Sequence, residues 1–299
     1  MFGSRTRSLV TGTVIVAVTA VAVGACSSGG SASGRPAQSA AVKPRQIFAA
    51  PNNLLAAGQP QPNGTLWALA GDAASKGLFD INLSNGSGIG SVSVSNAARS
   101  VTESLSGVIG LALGTSKAGA LELINGSTGK VITTIPLGAP ARDVTVGSGG
   151  GVFYVLDGTA KSASVTIVNS QNGGVQGTVP MPVNTVSVAP DSLGTSLYAL
   201  QPDGRVSQVA VAGGGVMTGF ATGPGARSIA LSPDGSTLYV LKGTGKDANV
   251  AEVSVATESV RRVLPAAANS RQVLVSADGS ELYQLVSTSL FGNIQVFKS

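Results

Sequence analysis

The sequence predicts an all-β fold: a six-bladed β-propeller of four-stranded antiparallel blades. The first observation is a recurring apolar tag: Leu66-Trp67-Ala68-Leu69, Ile109-Gly110-Leu111-Ala112-Leu113, Phe153-Tyr154-Val155-Leu156, Leu197-Tyr198-Ala199-Leu200, Leu238-Tyr239-Val240-Leu241 and Leu282-Tyr283-Gln284-Leu285. Its closing leucines fall 44, 43, 44, 41 and 44 residues apart. A period of about 40 to 50 residues made of strand formers and turns is that of propeller blades, units that bury their faces only by stacking on neighbours. The second observation is hairpin chemistry inside each period. The third is that the two ends of the chain carry complementary parts of one blade.

In chain order, the first segment is an export signal. Arg5 and Arg7 open it, and Leu9 to Val23 is mostly apolar but shorter than the roughly 20 apolar residues of a membrane-spanning helix. Val23-Gly24-Ala25-Cys26, which holds the one cysteine of the chain, resembles the lipobox of bacterial lipoproteins. That resemblance implies cleavage before Cys26 and acylation of its thiol and new amine. The alternative is a transmembrane anchor or an ordinary signal. Two or three acyl chains suffice for stable anchoring, at about 0.8 kcal/mol per buried methylene. Residues 1–25 are thus expected to be the signal and residues 26–45 a lipidated cysteine and tether. Ser27 to Lys43, rich in Ser, Gly and Ala, has nothing to bury and reads as flexible.

Residues 46–299 are expected to be the propeller. In the fifth period Ser228 to Leu231 runs into Ser232-Pro233-Asp234-Gly235, followed by Thr237 to Leu241, a polar loop, Val250 to Val255, a turn, and Ser259 to Leu264. Pro presets the first central position of that turn, Asp bonds its own backbone, and Gly accepts a positive φ. Ala189-Pro190-Asp191-Ser192 and Ser276-Ala277-Asp278-Gly279 are variants of it. Asn125-Gly126, Asn172-Gly173-Gly174 and Gly213-Gly214-Gly215 suit tight reversals between third and fourth strands. The last period stops after its third strand, and Gln46 to Ala50 is an apolar run before the first period. It is expected to be the missing outer strand, closing the ring and removing two exposed edges.

Leu121 to Gly138, followed by Ala141-Arg142-Asp143-Val144, resembles the repeat of the YVTN-type propellers of surface-layer and YncE-like proteins, and so does Ala226 to Val240. The signature tetrapeptide departs from that family, with Tyr239-Val240-Leu241-Lys242 the nearest match. The resemblance implies a propeller and no single activity, because that family spans binding, scaffold and enzymatic members.

Composition narrows the chemistry. There is no histidine, so the commonest general base and metal ligand is missing, and no metal or cofactor is expected. The 14 acidic residues are scattered singly rather than gathered as calcium requires. Ser127-Thr128-Gly129-Lys130 falls on a hairpin turn, not on the helical turn that Ser-x-x-Lys acylation chemistry needs. Gly86-Ser87-Gly88-Ile89-Gly90 opens no helix, which argues against a nucleotide loop. The net charge is +5, falling to +3 without Arg5 and Arg7. That charge is diffuse and has no Lys/Arg run, so no nucleic-acid partner is expected.

One constellation recurs with the repeat. Arg99, Arg142, Arg227 and Arg271 stand just before the innermost strand of their periods, and Asn184 is expected to fill that place in the fourth. Lys76, Lys117, Lys161, Arg205, Lys242 and Lys246 fall in loops expected on the same rim, diluted by Asp72, Asp157, Asp203 and Asp247. Asp191, Asp234 and Asp278 fall on the opposite one. The four arginines are therefore candidates for binding an anion or partner at the channel mouth. The alternative is that each bonds carbonyls of its own blade or pairs with a neighbour such as Asp143. The tyrosines and Trp67 are expected to pack between blades rather than to form a sugar platform.

The expectation is an exported protein held by lipid at Cys26 to the outer face of the bacterial cell membrane or envelope. Its role would be to bind or scaffold a protein or anionic envelope ligand without catalysis. A hydrolase or lyase on an anionic substrate would instead need a buried carboxylate with a perturbed pKa beside the arginines. A sensor or accessory subunit of a membrane complex would need a contiguous apolar rim patch.

Overall fold

A computed structural model describes residues 43–299. Cys26, the expected signal and residues 26–42 of the expected tether lie outside the described residues. Within them every regular element is a strand, and 24 strands form six four-stranded sheets. The first blade is β2 (Leu54–Ala57), β3 (Thr65–Gly71), β4 (Lys76–Asn82) and β5 (Gly88–Val94). The second is β6 (Ala98–Glu103), β7 (Val108–Gly114), β8 (Gly119–Asn125) and β9 (Val131–Leu137). The third is β10 (Ala141–Val146), β11 (Val152–Thr159), β12 (Ser162–Asn169) and β13 (Val175–Met181). The fourth is β14 (Ser187–Pro190), β15 (Ser196–Leu200), β16 (Arg205–Ala210) and β17 (Val216–Ala221). The fifth is β18 (Ala226–Leu231), β19 (Thr237–Lys242), β20 (Asn249–Ser254) and β21 (Ser259–Pro265). The sixth joins β22 (Ser270–Val275), β23 (Glu281–Ser287) and β24 (Gly292–Lys298) to β1 (Gln46–Ala50).

The ring closes as the sequence predicts. β1 pairs antiparallel with β24, Phe48 opposite Ile294, and Phe48 is only 4% exposed. The core is six separate apolar clusters, each spanning two adjacent blades. The one that joins the sixth blade to the first, with Phe48, Tyr283 and Leu285 against Leu54, Leu66 and Ile81, is built like the other five.

Trp67, Tyr154, Tyr198, Tyr239 and Tyr283 each belong to the cluster that faces the next blade, so they pack between blades. The second blade breaks the pattern. Ala112 pairs with Ser100 as Leu156 pairs with Asp143, which makes Ala112, not Leu113, the closing residue of its tag. Gly110 then occupies the tyrosine slot. The cause is a turn between β6 and β7 one residue shorter than that between β2 and β3. The ring of Phe153 from the third blade presses into the vacated space, 3.2 Å from where a Cβ on Gly110 would lie.

Candidate functional site

Inner strands β2, β6, β10, β14, β18 and β22 line the central channel. Each starts at the rim that carries the loops between second and third strands, and ends at the rim that carries the turns between first and second strands. We call these the loop rim and the turn rim.

Five of the six inner strands carry a β-bulge at their loop-rim end. The bulged residues are Leu55, Arg99, Arg142, Arg227 and Arg271. A bulge bends the strand and re-aims one side chain out of the ladder, so all four candidate arginines share one geometry. The fourth blade corrects the sequence expectation. Ser187 pairs with Leu200 as Asp143 pairs with Leu156, which puts Val186, not Asn184, at the arginine position. Asn184 instead has a φ of 62°, matched by Asn269 at 66°, and each makes the sharp connection into its inner strand.

The four arginines are not equivalent. Arg99 is exposed and its Nε donates to the Gly114 carbonyl of its own blade at 3.0 Å. Arg227 reaches across a blade boundary to the Ser270 carbonyl at 3.4 Å. Arg142 has Nε and Nη2 buried with no hydrogen-bond partner. Burial lowers its pKa, offset by Asp143 and Asp157, yet a guanidinium stays protonated. Arg271 is exposed. Lys76 and Lys242 are spent on carbonyls, Nζ donating to Ala98 at 2.6 Å and to Thr222 respectively. Burial lowers both pKa values, and Arg99 lowers that of Lys76 further. Lys117, Lys161, Arg205 and Lys246 are exposed on the same rim.

One residue further along each inner strand lies a polar ring that the sequence reading missed: Ser100, Asp143, Ser187, Ser228 and Gln272, with Ala56 in the first blade. Asp143 Oδ1 accepts from Ser100 Oγ at 2.7 Å and from the Val144 N–H at 2.9 Å, and Oδ2 accepts from Ser187 Oγ at 3.4 Å. Gln272 exchanges two bonds with the Ala57 backbone at 2.8 and 2.9 Å, and the Val273 N–H donates to Ser228 Oγ at 3.2 Å. Part of the Asp143 residue borders the channel, but its carboxyl is enclosed, and that burial raises its pKa against the donors that lower it. It is the buried carboxylate an enzyme reading asks for. Its oxygens, however, are engaged by three donors from three blades, the arrangement of an inter-blade clasp. The polar residue immediately after each of Arg99, Arg142, Arg227 and Arg271 is the signal that could have found it.

At the turn rim the channel widens into a funnel of about 180 Å³ to which all six blades contribute. Its wall is largely Pro, Leu, Val, Ile and Ala, and none of the four arginines lines it. Glu103, at the end of β6, borders it. Burial and the charge of Asp80 raise the Glu103 pKa to about 7, with a bond from Trp67 opposing. The turn aspartates serve the backbone. Asp191 is bonded by Thr195 and Ser196, Asp234 by Ser232 and Ser236, and Asp278 by Ser276 and Ser280.

Among the described residues no group of three or more His, Cys, Asp or Glu could hold a metal ion, and no helix is long and apolar enough to cross a membrane. No known protein family and no curated protein matches the sequence.

Proposed function

We propose that the chain is an exported lipoprotein, anchored through Cys26, whose YncE-like propeller binds an anionic ligand or partner at the loop rim without catalysis. The observation that carries this reading is the state of Arg142: a guanidinium on the bulge at the loop-rim end of β10, with two nitrogens buried and unbonded. A buried donor without a partner costs about 1 to 3 kcal/mol, so a side-chain rotation that presents these nitrogens to a phosphate or carboxylate oxygen recovers that cost. Arg271 supplies a second, exposed cation on the same rim, and Lys117, Lys161, Arg205 and Lys246 add to its field. Arg99 and Arg227 act chiefly as ties to carbonyls. The non-catalytic part of the reading is supported by the absence of histidine and by the engagement of Asp143 in its clasp.

The test is calorimetric titration of the full-length protein with inorganic pyrophosphate and with a polyuronate. Binding of at least one probe should weaken about tenfold in Arg142→Gln, the loss expected of one charge-assisted bond. Arg99→Gln should bind as wild type. No binding of either probe, or equal binding by Arg142→Gln, contradicts the reading. Anchoring is tested separately: Cys26→Ser should move the protein from the membrane pellet to the soluble fraction.

A further inference from the structure

We infer that the funnel at the turn rim is a docking site for a polypeptide partner that inserts one aromatic or branched aliphatic side chain, flanked on the partner by Lys or Arg. This site is at the opposite mouth from the anion site and does not rest on it.

Three observations carry the inference. The first is size and lining. The funnel is about 180 Å³, and an apolar cavity of about 150 Å³ accepts benzene, so the space suits one large apolar side chain. Pro60, Pro62, Leu105, Pro190, Leu231 and Pro233 form much of the wall. Pro190 ends β14 and the other three prolines stand in turns, and each ring presets its φ, so the wall is formed before the partner arrives and loses little freedom on binding.

The second is the collar. Leu105 is 59% exposed and Leu193 is 82% exposed, both in turns at this rim. They offer apolar contact to the partner surface around the inserted residue, in the manner of an anchor ringed by weaker contacts.

The third is charge. The six turns around the funnel carry Asp191, Asp234 and Asp278 and no Lys or Arg, and Glu103 at the end of β6 adds its charge as pH rises past about 7. The aspartates are committed to their turns, with pKa values held below the usual carboxylate range by hydrogen bonds from neighbouring hydroxyl and N–H groups, and they remain charged. A collar of one sign rejects acidic segments and steers basic ones.

The experiment uses full-length protein in detergent and two peptide probes, acetyl-Lys-(4-fluoro-Phe)-Lys-amide and its Glu-flanked counterpart, followed by fluorine NMR line broadening. The Lys-flanked probe should bind about tenfold more tightly than the Glu-flanked one, the size expected of a few exposed charge pairs. Ala277→Trp, which fills the funnel from an exposed turn position, should abolish binding. Ser148→Arg on the funnel wall should reverse the preference between probes, and this second variant decides the matter if the first folds poorly. Arg142→Gln should bind the Lys-flanked probe as wild type does. Equal broadening of both probes, unchanged binding in Ala277→Trp and Ser148→Arg, or no broadening of either probe overturns the inference. Broadening that persists in every variant marks the micelle as the binding partner and also overturns it.

Discussion

Ser100 on β6 donates its hydroxyl hydrogen to Asp143 on β10 at 2.7 Å, across the boundary between the second and third blades. With Ser187 on the other side, this carboxylate ties three inner strands at the narrowest part of the ring, where apolar packing has least volume to work with. Hydrogen bonds to a charged group are worth about 1.5 to 3 kcal/mol, and removing the acceptor strands its donors. Asp143→Ala should therefore lower stability by about 2 kcal/mol in urea unfolding monitored by circular dichroism. Ser187→Ala, which loses only a 3.4 Å contact, should cost less. An Asp143→Ala variant as stable as wild type would mean the clasp contributes nothing.

Glu103 gives the protein a pH dependence of known sign. Its pKa rises from 4.5 unfolded to about 7 folded. Between those values the native state holds a proton that the unfolded chain has released. Its contribution is full below about pH 4.5 and is lost as pH rises to 7. Glu103→Gln should flatten the stability profile between pH 5 and 7 in thermal melts. A wild type that gains nothing relative to the variant as pH falls through that window would place the Glu103 pKa near its ordinary value.

Gly110 is required by its neighbour rather than by its own backbone. A Cβ there would stand 3.2 Å from three carbons of the Phe153 ring, and Phe153 is fully buried, so the ring has little room to give. Overpacking of this kind costs about 1 to 3 kcal/mol. Gly110→Ala should be destabilised in that range, and Gly110→Ala combined with Phe153→Leu should recover part of the loss. Neutral behaviour of the single variant would show that the ring yields freely.

Closure by β1 makes the chain ends interdependent. Phe48 packs into the cluster between the sixth and first blades, and truncating a buried Phe costs about 3 to 5 kcal/mol. Phe48→Ala should lower the urea midpoint accordingly and raise hydrogen exchange in β24 and β2 before other strands. Uniform exchange across all six blades would show that closure is not the weakest seam.

The blade count, the closure and the interblade aromatics were legible in the sequence because each rests on local features: a repeat period, Pro-Asp-Gly turns, an apolar run without a partner. Leu113 and Asn184 were misplaced for a common reason. A turn one residue shorter before β7, and a sharp connection before β14, shift the ladder without changing the look of the repeat, and only strand pairing reveals which residues are equivalent. The division of the arginines into tied and untied was not legible, since it depends on which carbonyl each guanidinium reaches. The funnel escaped notice because it is made of Pro, Leu and Ala, residues that carry no chemistry singly and converge only when six turns meet around one axis.

The most direct test of the binding account is in-cell crosslinking and capture of the full-length protein beside an Arg142→Gln, Arg271→Gln double variant with an unchanged thermal melt. The account predicts that a partner or anionic ligand captured by the wild type is lost from the variant. Equal capture by both proteins would contradict it and return all four bulge arginines to a structural role.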